Sequence, residues 1–165
     1  MGFHEKPCSV SRPAAVPPVR LNHVSFLCTS VEESIDFYRR VLGFELVKRP
    51  ASLDFKGAWL HRNGMGIHLL QRGTDRNAAP AVPRPSTINP KDNHISFQCP
   101  DMELVKARLR DMELEFAATR LRDGETVVEQ LFFHDPDGNM IEICDCEKLP
   151  VIPLDLALSR RRCWP

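Results

Sequence analysis

Four side chains that commonly bind metal ions occupy matched places in a repeated sequence pattern. The segment Asn22–Phe26 returns almost unchanged as Asn93–Phe97, and Gly64–Leu69 aligns with Gly138–Ile143. These segments carry the candidate ligands His23, His94, His68 and Glu142, respectively. Imidazole nitrogens and carboxylate oxygens suit a divalent transition metal, and these residues alone do not choose among Zn²⁺, Ni²⁺, Co²⁺, Mn²⁺ and Fe²⁺.

The alternation of side chains along a β-strand predicts where these four residues point. His23 is out of phase with Val24 and Phe26, and His94 is out of phase with the apolar residues that follow it. If the apolar faces meet helices, both histidines lie on the concave face, and pseudo-twofold packing of two modules brings all four ligands toward one point. A lone histidine on a strand is usually an ordinary core or surface residue. A carboxylate between two isoleucines, such as Glu142, is costly to bury without a cation, and we therefore predict a metal site.

The other histidines and cysteines have simpler interpretations. His61 and His134 are predicted to flank turns or to support the ligands from behind, and His4 lies in a Pro-rich lead-in. Cys144 and Cys146 offer soft ligands or redox thiols near the last ligand, although packing is the favoured interpretation. These two are spaced too tightly for an ordinary disulfide, and reduced thiols are expected for the six cysteines of the chain.

The charge balance excludes several classes of partner. Lys+Arg and Asp+Glu number 22 each, so no global field attracts nucleic acid or an anionic membrane. The Arg160–Arg162 run is interpreted as a solvated end, and Arg39–Arg40 as a solvated helix face, with the alternative that an arginine holds a substrate carboxylate.

No apolar run approaches the length of a membrane span, and the N-terminus lacks the apolar core of a secretory signal, so a cytoplasmic protein is expected.

Two modules with the same element order account for the repeat. Residues 20–71 and 92–147 each read β-α-β-β-β, and an exposed Pro-rich linker at 72–91 joins them. Residues 1–19 are predicted to be disordered, and residues 148–165 form a C-terminal tail. The predicted fold class is α+β, with two βαβββ modules forming a curved mixed sheet.

Local signals define the ends of several elements. Ser30 and Glu33 form a capping box before the first helix, Gly43 ends that helix, and Asp101 caps the second. Asn63-Gly64 favours a tight hairpin. The predicted buried face of the second helix consists of Leu104, Val105, Leu109 and Met112. Strands of the second module are expected at 94–99, 114–117, 127–134 and 140–144.

These motifs resemble the vicinal oxygen chelate superfamily. The likeness is carried by the paired modules and by the segments Leu21–Val24, Ser34–Tyr38, Leu42–Phe44, His134–Gly138 and Ile141–Ile143. It covers residues 20 to 147, and the chain looks most like the plant glyoxalase I-like, or lactoylglutathione lyase-like, proteins.

The resemblance implies roles for individual residues. In that superfamily the metal is held at the first and last strands of each module, which carries over to His23, His68, His94 and Glu142, with Glu142 also the catalytic base. His68 departs from glyoxalase I, which has a second glutamate there, whereas methylmalonyl-CoA epimerases have a glutamine. Fosfomycin thiol transferases and extradiol dioxygenases match His23, His94 and Glu142 as a two-histidine, one-carboxylate set.

The activity implied by the resemblance is that of a metal-dependent lyase or isomerase. Its substrates would be glutathione hemithioacetals of 2-oxoaldehydes such as methylglyoxal, with glutathione as cosubstrate. The alternatives are an Fe²⁺ extradiol-type dioxygenase, a thiol transferase, and a non-catalytic member that binds small molecules. The four ligands can meet within one chain or across a swapped dimer, and a homodimer is the preferred arrangement.

Overall fold

The computed structural model describes residue 17 and residues 19–73 and 85–153. The first module comprises β1 (His23–Cys28), α1 (Val31–Arg40), β2 (Glu45–Val47), β3 (Gly57–Arg62) and β4 (Met65–Gln71). The second comprises β5 (His94–Gln98), α2 (Met102–Asp111), β6 (Ala117–Asp123), β7 (Thr126–His134) and β8 (Met140–Cys144). A short 3₁₀ helix, Cys146–Lys148, follows.

Each module builds one four-stranded mixed sheet. The strand orders are β1-β4-β3-β2 and β5-β8-β7-β6, so the two sheets repeat one topology and confirm the predicted α+β fold. In both sheets the first strand runs parallel to the last, and the other pairs are antiparallel. The two strands that carry predicted ligands are therefore neighbours in each sheet. Ser25 pairs with His68 in the first, and Ser96 pairs with Glu142 in the second.

Both predicted N-caps and the predicted hairpin turn are present, although only the Ser30 half of the capping box is formed. The Ser30 hydroxyl accepts a hydrogen bond from the Glu33 N–H at 3.3 Å, and the Asp101 carboxylate accepts one from the Leu104 N–H at 3.0 Å. Each bond satisfies a backbone donor that the first helical turn leaves unpaired. The turn between β3 and β4 has φ of 48° at Asn63 and 81° at Gly64, the left-handed geometry that suits a two-residue hairpin turn.

The predicted buried face of α2 is wrong at one position. Leu104 is 52% exposed, whereas Met102 and Lys106 join Leu109 among the buried residues. Lys106 is accommodated because its ammonium lies 2.6 Å from a carboxylate oxygen of the exposed Glu103 on the same helix and 2.7 Å from one of the half-buried Glu129 on β7. An ion pair with a strand that is distant in sequence thus allows a charged residue of the helix to be buried.

The strand predicted at 114–117 is also wrong. Residues 114–116 are irregular, and β6 begins only at Ala117, continuing to Asp123 as one arm of a hairpin with β7. Gly124, with φ of 58°, lies in the turn. On its other edge β7 pairs with β8, which carries Glu142.

One hydrophobic core joins the two modules. Phe37 of α1 contacts Phe133 of β7, with ring centroids 6.4 Å apart, and Phe44 contacts Phe97 of β5 at 5.9 Å. The residues predicted to point toward the helices pack against this core: Val24, Phe26, Ile95 and Phe97. Both sheets therefore turn their helix-covered faces toward a shared interior.

In each sheet, the predicted ligands lie on the face opposite the one that the helices cover. Ile67 and Leu69, which flank one ligand on β4, belong to the shared core, and so do Ile141 and Ile143, which flank another on β8. Because strand neighbours point to opposite faces, the ligands between them face away from the core. The ligand-bearing faces of the two modules are thus on the outer sides of one chain.

A buried hydrogen-bond network fastens the turn after β7 to the first module. The Tyr38 hydroxyl donates to Asp135 Oδ2 at 2.9 Å, and Asp135 Oδ1 accepts from the backbone N–H groups of Asp137 and Asn139. Asp137 in turn accepts from the Thr29 N–H at 2.7 Å. Burial and the neighbouring Asp135 carboxylate raise the pKa of Tyr38 above its ordinary range, so the phenol remains a donor.

Several predictions fall on residues outside this description. The segment expected to be disordered, 1–19, lies almost wholly outside the described residues, as do 74–84 of the linker and the tail beyond residue 153. The module boundaries and the fate of both ends stay predictions. Across the described residues, neither helix has the length and hydropathy needed to cross a lipid bilayer.

Candidate metal centre

The structure brings the four predicted ligands together as two pairs. The imidazole rings of His23 and His68 stack with centroids 3.9 Å apart. In the second module, His94 Nε2 lies 3.2 Å from Glu142 Oε2. Within the described residues of one chain, these four side chains do not form a single group of metal ligands. Each module therefore supplies one half-site, and the two half-sites lie on different outer faces.

The half-site of the second module is buried and hydrogen-bonded. Glu142 is 3% exposed, and its Oε1 accepts a hydrogen bond from Gln130 Nε2 on β7. His94 Nδ1 lies 2.7 Å from the backbone carbonyl of Asp92. A carbonyl oxygen can only accept, so Nδ1 carries a hydrogen and Nε2 is the nitrogen that faces the carboxylate. At this distance a proton or a cation must lie between Nε2 and the carboxylate, so the geometry suits a metal-binding pair.

The half-site of the first module is built from stacked rings. His68 lies between His23 and Trp59, whose ring centroid is 4.1 Å from that of His68 at an interplanar angle of 2°. His23 Nδ1 lies 2.8 Å from Asn22 Oδ1, which again leaves Nε2 as the nitrogen with a lone pair. Burial, together with the neighbouring His23, lowers the pKa of His68, which favours the neutral form that binds metals.

A glycine makes room for the stacked rings. Gly66 pairs with His23 across β1 and β4. A Cβ atom at Gly66 would lie 3.1 Å from His23 Cβ, closer than most Cβ atoms approach a neighbour, and 3.6 Å from His68 Nε2, an ordinary contact distance. The two imidazoles can therefore approach each other over this position because it carries no side chain.

Sequence reasoning missed the residues that support these pairs. Trp59 could have been predicted, because the Asn63-Gly64 turn fixes a register in which residue 59 lies opposite residue 68. Gln130 could not be predicted, because it reaches Glu142 diagonally across β7 and β8, in which Glu142 pairs with Phe132. The acceptors that orient the two strand-opening histidines, Asn22 and Asp92, gave no separate signal. Their role appears only in the geometry.

The remaining histidines of the described residues lie next to turns, and the cysteines among those residues are unpaired thiols. His61 is exposed at the end of β3 and His134 is buried at the end of β7, each next to a turn as predicted. Cys28, Cys99, Cys144 and Cys146 are free thiols. Burial raises the pKa of Cys146 to about 12, with further contributions from Cys144 and Glu142.

A cleft lies between the opening strands of the two modules. Its volume is about 710 Å³, and its lining includes Val24 and Phe26 from β1 and Ile95 and Met140 from the second module. Of the four predicted ligands, its lining includes His94 alone. The cleft is therefore not the space in which the two pairs would meet.

Comparison with known proteins gives a consistent result. The family model described as Glyoxalase/Bleomycin resistance protein/Dioxygenase superfamily matches residues 20–143. Glyoxylase I 4 of Arabidopsis thaliana is 53% identical over 140 residues, which cover 85% of this chain and 78% of that protein. Lactoylglutathione lyase of Pseudomonas putida is 28% identical over 144 residues, covering 74% of this chain and 82% of that protein. Among solved structures, a glyoxalase/dioxygenase from Nostoc punctiforme is 20% identical, with a TM-score of 0.61 over 81% of this chain and 97% of that chain.

Proposed function

Because the chain belongs to the glyoxalase/bleomycin resistance protein/dioxygenase superfamily, we propose that it is a metal-dependent, glyoxalase I-like lyase. Its substrates are glutathione hemithioacetals of 2-oxoaldehydes such as methylglyoxal. The observation that carries the proposal is the shared orientation of His23 and His94. Each Nδ1 faces an oxygen acceptor close by in sequence, which leaves Nε2 for a cation. The relative named Glyoxylase I 4 supports the reaction class.

The donor set fits a divalent transition metal. It combines three imidazoles with one buried carboxylate, from His23, His68, His94 and Glu142. Nitrogen and oxygen donors of this kind suit Zn²⁺, Ni²⁺, Mn²⁺, Co²⁺ or Fe²⁺. A bound cation of this class would polarise neighbouring oxygens of the substrate and offset the negative charge that develops on them.

Glu142 supplies the base in this proposal. The isomerisation moves one proton from the carbon that bears the sulfur to the neighbouring carbonyl carbon and a second from the hydroxyl to the former carbonyl oxygen, and the hemithioacetal becomes a thioester. Glu142 is the carboxylate of the set, and its Oε2 faces Nε2 of His94. Gln130 holds the other carboxylate oxygen and so fixes the plane of the group. The carboxylate takes up the proton and returns it to the adjacent carbon.

The proposal includes a homodimer in which the half-sites of two chains meet. Within one chain the two half-sites lie on outer faces, so the first module of one protomer must face the second module of its partner. The ligand-bearing face of the first module also exposes apolar side chains, with Leu27 at 45% and Val47 at 39% exposure. A partner that covers this face would remove that apolar surface from water.

The activity is tested by adding Ni²⁺, Zn²⁺ or Mn²⁺ to the metal-free full-length protein. Ultraviolet absorbance then follows S-lactoylglutathione formation from methylglyoxal and glutathione. We expect turnover with at least one metal, and a gain in the His68→Glu variant, which restores the second carboxylate found in glyoxalase I. An inactive protein with all three metals, in both forms, would overturn the proposal.

Two other outcomes would replace it with a different function. Oxygen uptake with catechols by the Fe²⁺-loaded protein, without isomerase activity, would indicate a dioxygenase. A protein purified without metal, whose ligand binding is unaffected by chelators, would indicate a non-catalytic binding member.

The shared site is tested by mixing two inactive variants. In the proposed dimer, a His23→Ala chain and a Glu142→Gln chain together contain one undamaged site, formed by the first module of the latter and the second module of the former. Random exchange then restores about a quarter of the wild-type activity. A site made within one chain predicts no restoration, so mixtures as inactive as their components would exclude the shared arrangement.

The proposal also places the protein in the cytoplasm. The four free cysteines among the described residues support this location, since reducing compartments preserve thiols. A fluorescent fusion carrying the tag at either end should give a diffuse cytoplasmic signal. A signal confined to an organelle with both fusions would contradict the location while leaving the activity untouched.

A further inference from the structure

We propose that the chain holds a second cation site, formed by Cys144, Cys146 and Glu142, for a thiophilic d¹⁰ cation such as Zn²⁺. Two sulfur atoms and one carboxylate oxygen of these residues lie within 4.8 Å of one another. Thiolates bind Zn²⁺ and Cd²⁺ in preference to the harder cations that suit nitrogen and oxygen donors. The binding itself does not depend on the proposed lyase activity.

The two oxygens of the Glu142 carboxylate face different chemistry. Oε2 lies beside the imidazole of His94 at 3.2 Å. Oε1 accepts from Gln130 Nε2, and the same nitrogen lies 4.0 Å from Cys146 Sγ. The carboxylate is therefore shared between a nitrogen side, which belongs to the predicted metal centre, and a sulfur side, whose cysteines are not among the four predicted ligands.

The backbone brings the two sulfur atoms to this carboxylate. Cys144 lies two residues after Glu142 on β8 and so shares its face, with Sγ 3.5 Å from Ser96 Oγ. Cys146 follows two residues later, in phase with Glu142 and Cys144, and the 3₁₀ helix that begins at this residue keeps its sulfur beside the end of the strand. A side chain on β5 holds this turn, because the Glu147 N–H donates to Gln98 Oε1 at 3.0 Å.

Two ligands of this site are held on a packed strand, and the third is accessible to an ion from solvent. Glu142 and Cys144 are buried on a central strand of the second sheet, whereas Cys146 is half-buried at its end. Ligands held on packed elements lose little freedom when an ion binds, and the partly exposed thiol provides access. Occupation from the sulfur side would draw the carboxylate away from His94, so a thiophilic cation should inhibit any chemistry that needs Glu142 on the nitrogen side.

The test is a titration of the reduced full-length protein with Cd²⁺, followed by the sulfur-to-cadmium charge-transfer absorbance in the ultraviolet. We expect the wild-type band to saturate at one Cd²⁺ per chain. Cys144→Ser and Cys146→Ser should each remove at least half of the band and weaken binding about a hundredfold. The matched control is Cys99→Ser, which lies outside the cluster and should keep the full band.

Two further variants separate this site from the proposed catalytic centre. His94→Ala should keep the sulfur band while losing Ni²⁺ binding, and Glu142→Gln should keep the band with about tenfold weaker Cd²⁺ affinity. A Cys8→Ser, Cys163→Ser double variant checks for sulfur supplied by other parts of the chain and should behave as wild type. A wild-type protein without the band, or a band of full strength in both Cys144→Ser and Cys146→Ser, would overturn the proposal. Either result leaves the isomerase assay free to succeed or fail by itself.

Discussion

The two modules repeat one fold but surround their ligands differently. His68 and Glu142 hold equivalent places, each beside a serine on the opening strand of its own sheet. Glu142 is buried and accepts a hydrogen bond from Gln130, whereas His68 is half-exposed and lies between two aromatic rings. The duplicated backbone determines where a ligand lies. The neighbouring strand determines its polarity, its access to water and therefore its chemistry.

The largest effect should come from placing glutamine at each of the two equivalent positions in turn. Glu142→Gln removes the charge and the base together, so kcat/KM for the hemithioacetal should fall at least about a hundredfold. His68→Gln removes one neutral donor of several and should lower kcat/KM by about tenfold or less. Steady-state kinetics and metal analysis of both variants check this ranking.

The matched control for this pair is Glu147→Gln, an exposed carboxylate near the same strand end, which should retain wild-type kinetics. If His68→Gln proves as damaging as Glu142→Gln, the two half-sites are equivalent and the contrast between the modules is wrong.

An intermediate effect is expected where the modules are fastened together. The turn after β7 is tied to α1 by the bond from Tyr38 to the buried Asp135, whereas the equivalent turn after β3 is exposed. Tyr38→Phe leaves a buried carboxylate short of one donor and should lower the free energy of unfolding by about 1–3 kcal/mol. Asn63→Gly in the exposed turn should change it by less than about 0.5 kcal/mol. Urea unfolding of both variants measures the difference, and equal losses would show that the turns are equivalent.

The smallest effect concerns the stacked histidines. Burial and His23 hold the pKa of His68 below its ordinary value, so His23→Gln should raise it part of the way back. Because the folded-state pKa is the lower one, protonation favours the unfolded chain. Wild-type stability should therefore fall as the pH drops below about 6.5 and through the folded pKa, and less so in the variant. NMR titration of the imidazole in metal-free protein measures the pKa, and an unchanged value would mean that His23 exerts no electrostatic effect on His68.

Features set by short stretches of chain were predictable from sequence. The caps at Ser30 and Asp101 and the Asn63-Gly64 turn depend on bonds between residues a few positions apart, and all three are present. The face of each strand on which the predicted ligands lie followed from the alternation of side chains alone. The identity of the metal ligands is still a prediction, since it depends on a cation.

Features set by distant partners were not predictable. The burial of Lys106 depends on Glu129, which lies on another strand, so a stripe of apolar residues at helical spacing wrongly favoured Leu104. The strand β6 is polar along most of its length and gave no apolar alternation to mark its start. Contacts such as that between Phe37 and Phe133 determine whether the helix-covered faces or the ligand-bearing faces of the two sheets meet within one chain. No local sequence pattern encodes such contacts.

The empty space above Gly66 has a consequence for how relatives are compared. A homologue that keeps both histidines but replaces this glycine would pass any comparison based on ligand residues, although its His23 side chain would have to shift to admit the new Cβ atom. Such a protein should differ in cation preference without differing at a single donor atom. For an engineer, the same position offers an adjustment of the half-site that leaves every ligand in place.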